Sequence, residues 1–464
     1  MTLLPDDPLQ VHGIVGFGRR LRRGETSAEA VTAAYLSRIE VLEPRLQAFE
    51  HIDADDALAT ARALDSLLGA GTDLGPLMGV PVAIKDIIAV AGMPTRTGSN
   101  LDVTDIIGPE GPFVRALRRA GCVILGKAMT EEFARGGPTG LNPIRGTPWN
   151  PWDTGTHRIP GGSSSGSGVA MAAGLCGFAI GSDTGGSVRL PAAFCGVFGV
   201  KPTWGMWPLD GVYPTCPSLD TLGLLTRSAD DAAIVVSALS DIAVLGLDTV
   251  RGLRLGRPTH HFFDDLDAEV EACVSAALVA LEKEGAVIVD VEFSEIEGAD
   301  DFFRVVIGGE FLAGMGRERF LANREAMGFI LAARGASGLD VMADAYVQQR
   351  HWQDTACRVV ADKLRDLDAV VTPTIPILPA PASDFPDLER ATRLAVPISK
   401  NTYFANMFRL CATTMPVHHF GSTLPVGLQL NCAEGEDGKL LAIGRAVEQV
   451  IGAPAAPDLK GFLP

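Results

Sequence analysis

The chain has 464 residues, 47% hydrophobic and 20% charged, the make-up of a folded core rather than of a disordered segment. Its 56 acidic side chains outnumber 39 basic ones and leave a formal net charge of −17. A surface of that sign repels phosphate backbones, so no nucleic acid is expected as a ligand.

The basic run Arg19–Arg23 reads as the solvated face of an N-terminal helix. Thr26-x-x-Glu29 has the capping-box pattern, and Val31, Tyr35, Ile39 and Leu42 share one helical face before Pro44, the expected stop. A Gly/Pro-rich stretch, 69–81, leads into a short apolar strand, Val82-Ala83-Ile84, which delivers Lys85 and Asp86. A helix over Pro112–Ala120 and a strand over Cys122–Leu125 continue a strand–helix–strand rhythm. Of the 29 residues 159–187, fifteen are Gly or Ser, yet the segment encloses a small-residue helix, Val169–Ala173, and a strand, Phe178–Ile180. A linker would be polar throughout, so this segment reads as loop, helix, strand and loop around a packed site.

The rhythm goes on with a helix over Asp230–Leu239 and a strand at Leu253–Leu255. A helix over Glu269–Glu284 and a strand over Ala286–Val291 follow. Residues 300–365 read as mostly helical, and strands at Ala369–Val371 and Gly427–Leu430 precede a closing helix, Lys439–Ile451. No repeat or composition break divides the chain. The expectation is one α/β domain over 1–464, with 1–25 and 453–464 as peripheral terminal segments. Eight cysteines without a C-x-x-C pair read as reduced thiols, and the start of the chain lacks the cationic and apolar regions of an export signal. The longest compact apolar run, about Val169–Gly181, is too short and Gly-broken to span a membrane, so a cytoplasmic location is expected.

No H-E-x-x-H and no paired histidine ligand spacing is present, so no metal is expected. No phosphate-binding G-x-x-x-x-G-K-[ST] loop occurs either. Two Gly/Ser loops, Gly161–Gly168 and Gly181–Ser187, flank one helix and one strand. In the second loop Thr184, Gly185, Gly186 and Ser187 offer four successive N–H groups, the composition of an anion-binding nest or oxyanion hole. A serine closing that loop sits beside donors for its own tetrahedral product; the alternative is a Gly-rich turn without chemistry. Gly162–Gly166 also matches the nucleophile-elbow pattern G-x-S-x-G, with His418 or His419 as a late base. That elbow must follow a buried strand, and Pro160 just before it argues against one. Lys85 ends an apolar strand at the edge of a dry core, where an amine can lose its charge. Lowering its pKa from about 10.4 to about 7.5 costs roughly 4 kcal/mol. The other reading of Lys85 is a salt bridge to Asp86 or another acid.

Taken together these segments resemble the amidase signature family. Gly79–Asp86 looks like the family's lysine strand, Ala120–Lys127 its next strand, and Pro160–Ser167 with Gly181–Pro191 the signature itself. Leu209–Gly211, Ser218–Gly223 and Pro425–Leu430 resemble downstream segments in the same order, and the likeness runs from about residue 26 to 452. The resemblance implies one large mixed sheet between helical layers. It implies Lys85 as base, Ser163 as bridging serine after a cis Gly162–Ser163 peptide, and Ser187 as nucleophile. The N–H groups of Thr184, Gly185, Gly186 and Ser187 would form the oxyanion hole. The implied reaction is amide hydrolysis through an acyl-enzyme, on a small carboxamide or a carbamoyl or urea compound, with no cofactor. A homodimer is the assembly common among related enzymes. The alternative function is a glutamine-hydrolysing subunit that passes ammonia to a partner amidating charged tRNA.

The sequence also departs from the family. Ser165 and Gly168 stand where many members have Gly and Ala, Met129 replaces a common Asn, and Arg135 replaces a residue usually uncharged. Arg135 is either a surface arginine or, if it lines the pocket, a contact for a substrate carboxylate. Arg189 is either half of a structural ion pair, with Asp183 as partner, or a second carboxylate contact.

Overall fold

The computed structural model describes residues 4–463. Its strands are β1 (Phe49–Ile52), β2 (Pro81–Lys85), β3 (Val123–Ala128), β4 (Phe178–Asp183), β5 (Phe198–Lys201), β6 (Thr221–Thr226), β7 (Arg254–Pro258), β8 (Val287–Val291), β9 (Ala369–Pro373), β10 (Cys411–Pro416) and β11 (Gly427–Cys432). They form one 11-stranded sheet in the order β1-β3-β2-β4-β6-β5-β10-β11-β9-β7-β8. β2 runs parallel to both β3 and β4, whereas β4 is antiparallel to β6. Every residue of β2, β3 and β4 is buried, which is why these strands read as continuous apolar runs instead of alternating ones.

Helices cover both faces of the sheet. Ser165–Ala172 packs on β2, β3, β4 and β6, and Arg189–Cys195 packs beside it on β5, β10 and β11. Ala229–Leu239 and Asp437–Ile451 pack against each other over β5, β6, β10 and β11. The terminal segments are anchored: Ile14, Phe17 and Leu21 near the start and Leu459 and Phe462 near the end are buried in the main core. No helix among the described residues is long and apolar enough to cross a membrane.

Several local expectations shift. The first long helix, Ala28–Leu46, is capped by Ser27, whose side chain accepts the Ala30 N–H at 3.0 Å, not by Thr26. Pro44 lies inside its last turn, where a missing N–H removes only one ladder bond; the helix stops at Gln47 in the left-handed region, φ 51°. The small-residue helix begins earlier than its apolar core suggests, at Ser165, and so includes Gly166 and Gly168. A Cβ at Gly166 would come within 2.2 Å of the Ala48 carbonyl oxygen, so this close crossing of helix and chain requires glycine. Strands β1, β5, β6 and β10 and the helix Ala54–Gly69 lie outside the expected elements, although that helix buries Ala57, Ala61 and Leu64 at helical spacing behind its Asp53 cap. In β6 the interruption is Gly223, where a Cβ would lie 2.5 Å from the Val200 carbonyl oxygen of β5.

Candidate active site

Because β2 and β4 are parallel neighbours, with Ile84 opposite Ile180, their carboxyl ends emerge together. One end carries Lys85 and the other Ser182 and Asp183, leading into the Thr184–Ser187 loop. The helix Ser165–Ala172 packs under both strands, and the segment entering it brings in Ser163 through a cis Gly162–Ser163 peptide, as the resemblance implied. The Ser163 carbonyl accepts from the Glu131 N–H at 3.1 Å and the Thr130 hydroxyl at 3.0 Å, and the Ser187 carbonyl accepts the Ser164 N–H at 3.2 Å. The two Gly/Ser loops are thus tied to each other and to the end of β3.

Lys85 is fully buried, and its Nζ lies 2.6 Å from Ser163 Oγ and 2.8 Å from Ser182 Oγ. Burial pushes its pKa down to about 7, against the opposing charges of Glu131, Asp183 and Asp220. The salt bridge to Asp86 that the sequence left open does not form. Asp86 is paired with Lys127 at 2.9 Å, both side chains completely enclosed. Successive residues along an extended chain point to opposite faces, so Lys85 and Asp86 do not share one side of the sheet.

Ser187 is half-buried and lines a cavity of about 410 Å³, counted with its open mouth, together with Thr184, Gly185, Arg135, Arg334 and Tyr403. Ser187 Oγ makes no hydrogen bond among the described residues, to Ser163 or to any other group. Of the four expected oxyanion donors, the Gly186 N–H is already donated to Asp183 Oδ1 at 2.8 Å. The N–H groups of Thr184, Gly185 and Ser187 have no acceptor among the described residues, which leaves three free donors around Ser187. Thr184 is held from below by its hydroxyl, which donates to Asp220 Oδ1 at 2.6 Å.

The two candidate arginines separate cleanly. Arg189 is fully buried and uses all five N–H donors. Nε and Nη2 reach the two carboxylate oxygens of Asp183 at 3.1 and 2.9 Å. Nη1 reaches the Thr402 carbonyl and Gln429 Oε1 at 2.9 and 2.8 Å, and Nη2 also reaches Asn406 Oδ1 at 2.5 Å. No donor remains for a substrate, so the geometry corrects the reading of Arg189 as a carboxylate contact and supports the ion pair. Arg135 is not a surface residue: it is 8% exposed and faces the cavity, and its one side-chain hydrogen bond among the described residues runs from Nη2 to the Arg334 carbonyl at 3.3 Å. Burial, then the charge of Arg334, pushes its pKa down to about 9, which still leaves it charged at neutral pH.

Sequence reasoning did not assign Ser182, Asp220 or Arg334. Ser182 and Asp220 lie within quoted motif segments, so position in a motif was the available signal. Arg334 sits in a helix, Phe329–Ala336, with no motif around it.

The Amidase family model matches residues 30–441. Over 450 residues the chain is 38% identical to 2-amino-5-chloromuconic acid deaminase of Comamonas testosteroni, covering 95% of this chain and 97% of that protein. It is 32% identical over 483 residues to a glutamyl-tRNA(Gln) amidotransferase subunit of Synechococcus sp. strain RCC307, covering 94% and 98% of the two chains. The crystal structure of a peptide amidase from Stenotrophomonas maltophilia superposes with a TM-score of 0.83 at 28% identity, covering 98% of this chain and all of that one.

Proposed function

The chain belongs to the amidase family, hydrolases of carbon–nitrogen bonds other than peptide bonds, and we propose that it cleaves a small carboxamide, or a carbamoyl or urea compound, through an acyl-enzyme on Ser187. The observation that carries this reading is the enclosed Lys85 Nζ, 2.6 Å from Ser163 Oγ, with a pKa brought to about 7. Neutral Lys85 takes the proton of Ser163 as Ser163 takes that of Ser187, and Ser187 Oγ adds to the carbonyl carbon. The free N–H groups of Thr184, Gly185 and Ser187 receive the negative oxygen. Ser163 then returns a proton to the departing nitrogen, and water releases the acyl group by the same relay in reverse. Eight free cysteines support a reducing, cytoplasmic setting.

A second reading, a glutamine-hydrolysing component of a larger enzyme, is favoured by the likeness to the amidotransferase protein of Synechococcus. The test is release of ammonia or amine by the purified chain alone from carboxamides, ureas and glutamine, with Ser187→Ala alongside. Turnover that disappears in Ser187→Ala supports the stand-alone serine amidase. Turnover that survives the substitution overturns the assignment of Ser187. Glutamine turnover that needs a partner protein moves the assignment to the second reading.

A further inference from the structure

We propose that Arg135 and Arg334 form a carboxylate-binding subsite, so that the amide cleaved at Ser187 carries a free carboxylate; this rests on the proposed amidase reaction. Both arginines line the cavity that contains Ser187 and Thr184, although 199 residues separate them in the chain. The Nε of each is buried without a hydrogen-bond partner among the described residues. Neither forms an ion pair with any carboxylate among the described residues, and no acidic side chain among them lines the cavity.

Arg189 is the internal control. It is fully buried, and its five donors are saturated by Asp183 and three further groups of the protein, which is what a structural arginine requires. An enclosed guanidinium with an idle donor, beside a second like charge, is unfavourable unless an anion completes it. Among the described residues Glu131 forms no ion pair with either guanidinium. Its carboxyl accepts the Gly140 N–H at 2.6 Å, and burial pushes its pKa up to about 8 against the charges of Arg334 and Lys85. A planar carboxylate matches the guanidinium fork, and two forks suit one carboxylate. Because both arginines line the same cavity as Ser187, the carboxylate and the scissile amide lie close together in the ligand. The carboxylate can belong to the acyl part, as in a half-amide of a short dicarboxylic acid, or to the amine part, as in an N-acyl amino acid.

The experiment compares kcat/KM for half-amides of short dicarboxylic acids, N-acyl amino acids and the matching neutral diamides. It uses the parent chain, Arg135→Gln, Arg334→Gln and Ser187→Ala. The parent should prefer the carboxylate-bearing member of a pair by about 100-fold, and each glutamine variant should shrink that ratio by about 10-fold or more. The pair that shows the preference identifies which part carries the charge. Equal turnover of charged and neutral substrates by the parent, or a ratio unchanged in both variants, overturns the subsite. Calorimetric binding of the half-amides to Ser187→Ala gives a readout independent of turnover. Binding that Arg135→Gln weakens in that background supports the subsite even if the proposed reaction fails. Binding indifferent to both arginines refutes it even if the reaction stands.

Discussion

Arg189 closes its fork on Asp183 with both side chains fully enclosed, Nη2 to Oδ1 at 2.9 Å and Nε to Oδ2 at 3.1 Å. The same carboxylate accepts the N–H groups of Gly186 and Val188 at 2.8 and 3.2 Å, so the pair fixes the backbone on either side of Ser187. Burial by itself would raise the Asp183 carboxyl. The charge and hydrogen bonds of Arg189 override it and hold the group well below the usual carboxylate range.

Removing one partner leaves a buried charge unpaired. Arg189→Met should therefore lose about 3–5 kcal/mol of stability, measured by urea unfolding. Because the folded pKa of Asp183 is depressed, its stabilising share is present above the ordinary carboxylate pKa and declines as pH falls below it. A loss under about 1 kcal/mol would mean that the loop does not depend on this pair.

The pH profile should follow Lys85. With its pKa near 7, the competent neutral amine is the minor form in acid. We expect kcat/KM to fall about tenfold per pH unit well below that value and to level off above it. A flat profile from mild acid to neutrality would remove Lys85 from the role of base.

Lys85 should also oppose stability. Between pH about 7 and its ordinary value of 10.5 the unfolded chain holds a proton that the folded chain does not, so stability rises with pH across that window. Lys85→Met removes this penalty while leaving the Ser163 and Ser182 hydroxyls without their shared partner, which offsets part of the gain. The expected variant is inactive yet about 1–3 kcal/mol more stable at pH 7. Thermal unfolding checks it, and a strongly destabilised variant would contradict the neutral-amine picture.

Ser182→Ala tests how Lys85 is positioned. The Ser182 hydroxyl accepts from Lys85 Nζ at 2.8 Å and favours the ammonium form more than the amine. Its removal should lower kcat about tenfold and move the acid limb of the pH profile to lower pH. A drop in rate with an unmoved limb would indicate a packing effect only.

Gly186→Ala should disturb the donor loop. Gly186 has φ +125°, and a Cβ there would lie 2.2 Å from Thr402 Oγ1. The backbone must shift, taking the Gly185 and Ser187 N–H groups with it. An activity loss of about 100-fold is expected, with a stability loss of about 1–3 kcal/mol. Steady-state kinetics and unfolding on the same preparation separate the two.

Short stretches of the chain dictate the α/β architecture, most strands near the site, the two Gly/Ser loops and the candidacy of Lys85, Ser163 and Ser187. Those features are local, because apolar runs, turn chemistry and motif order each lie within a few neighbouring residues. Which charges are paired and which donors remain free is settled by tertiary packing. Lys127 takes Asp86 and leaves Lys85 to two serines, because neighbouring side chains at the end of β2 point to opposite faces. Asp183 uses the Gly186 N–H and, with residues 402, 406 and 429, saturates Arg189. Arg334 joins Arg135 from a helix with no motif of its own. Desolvation and donor saturation depend on groups brought together from distant parts of the chain, so no window of sequence records them.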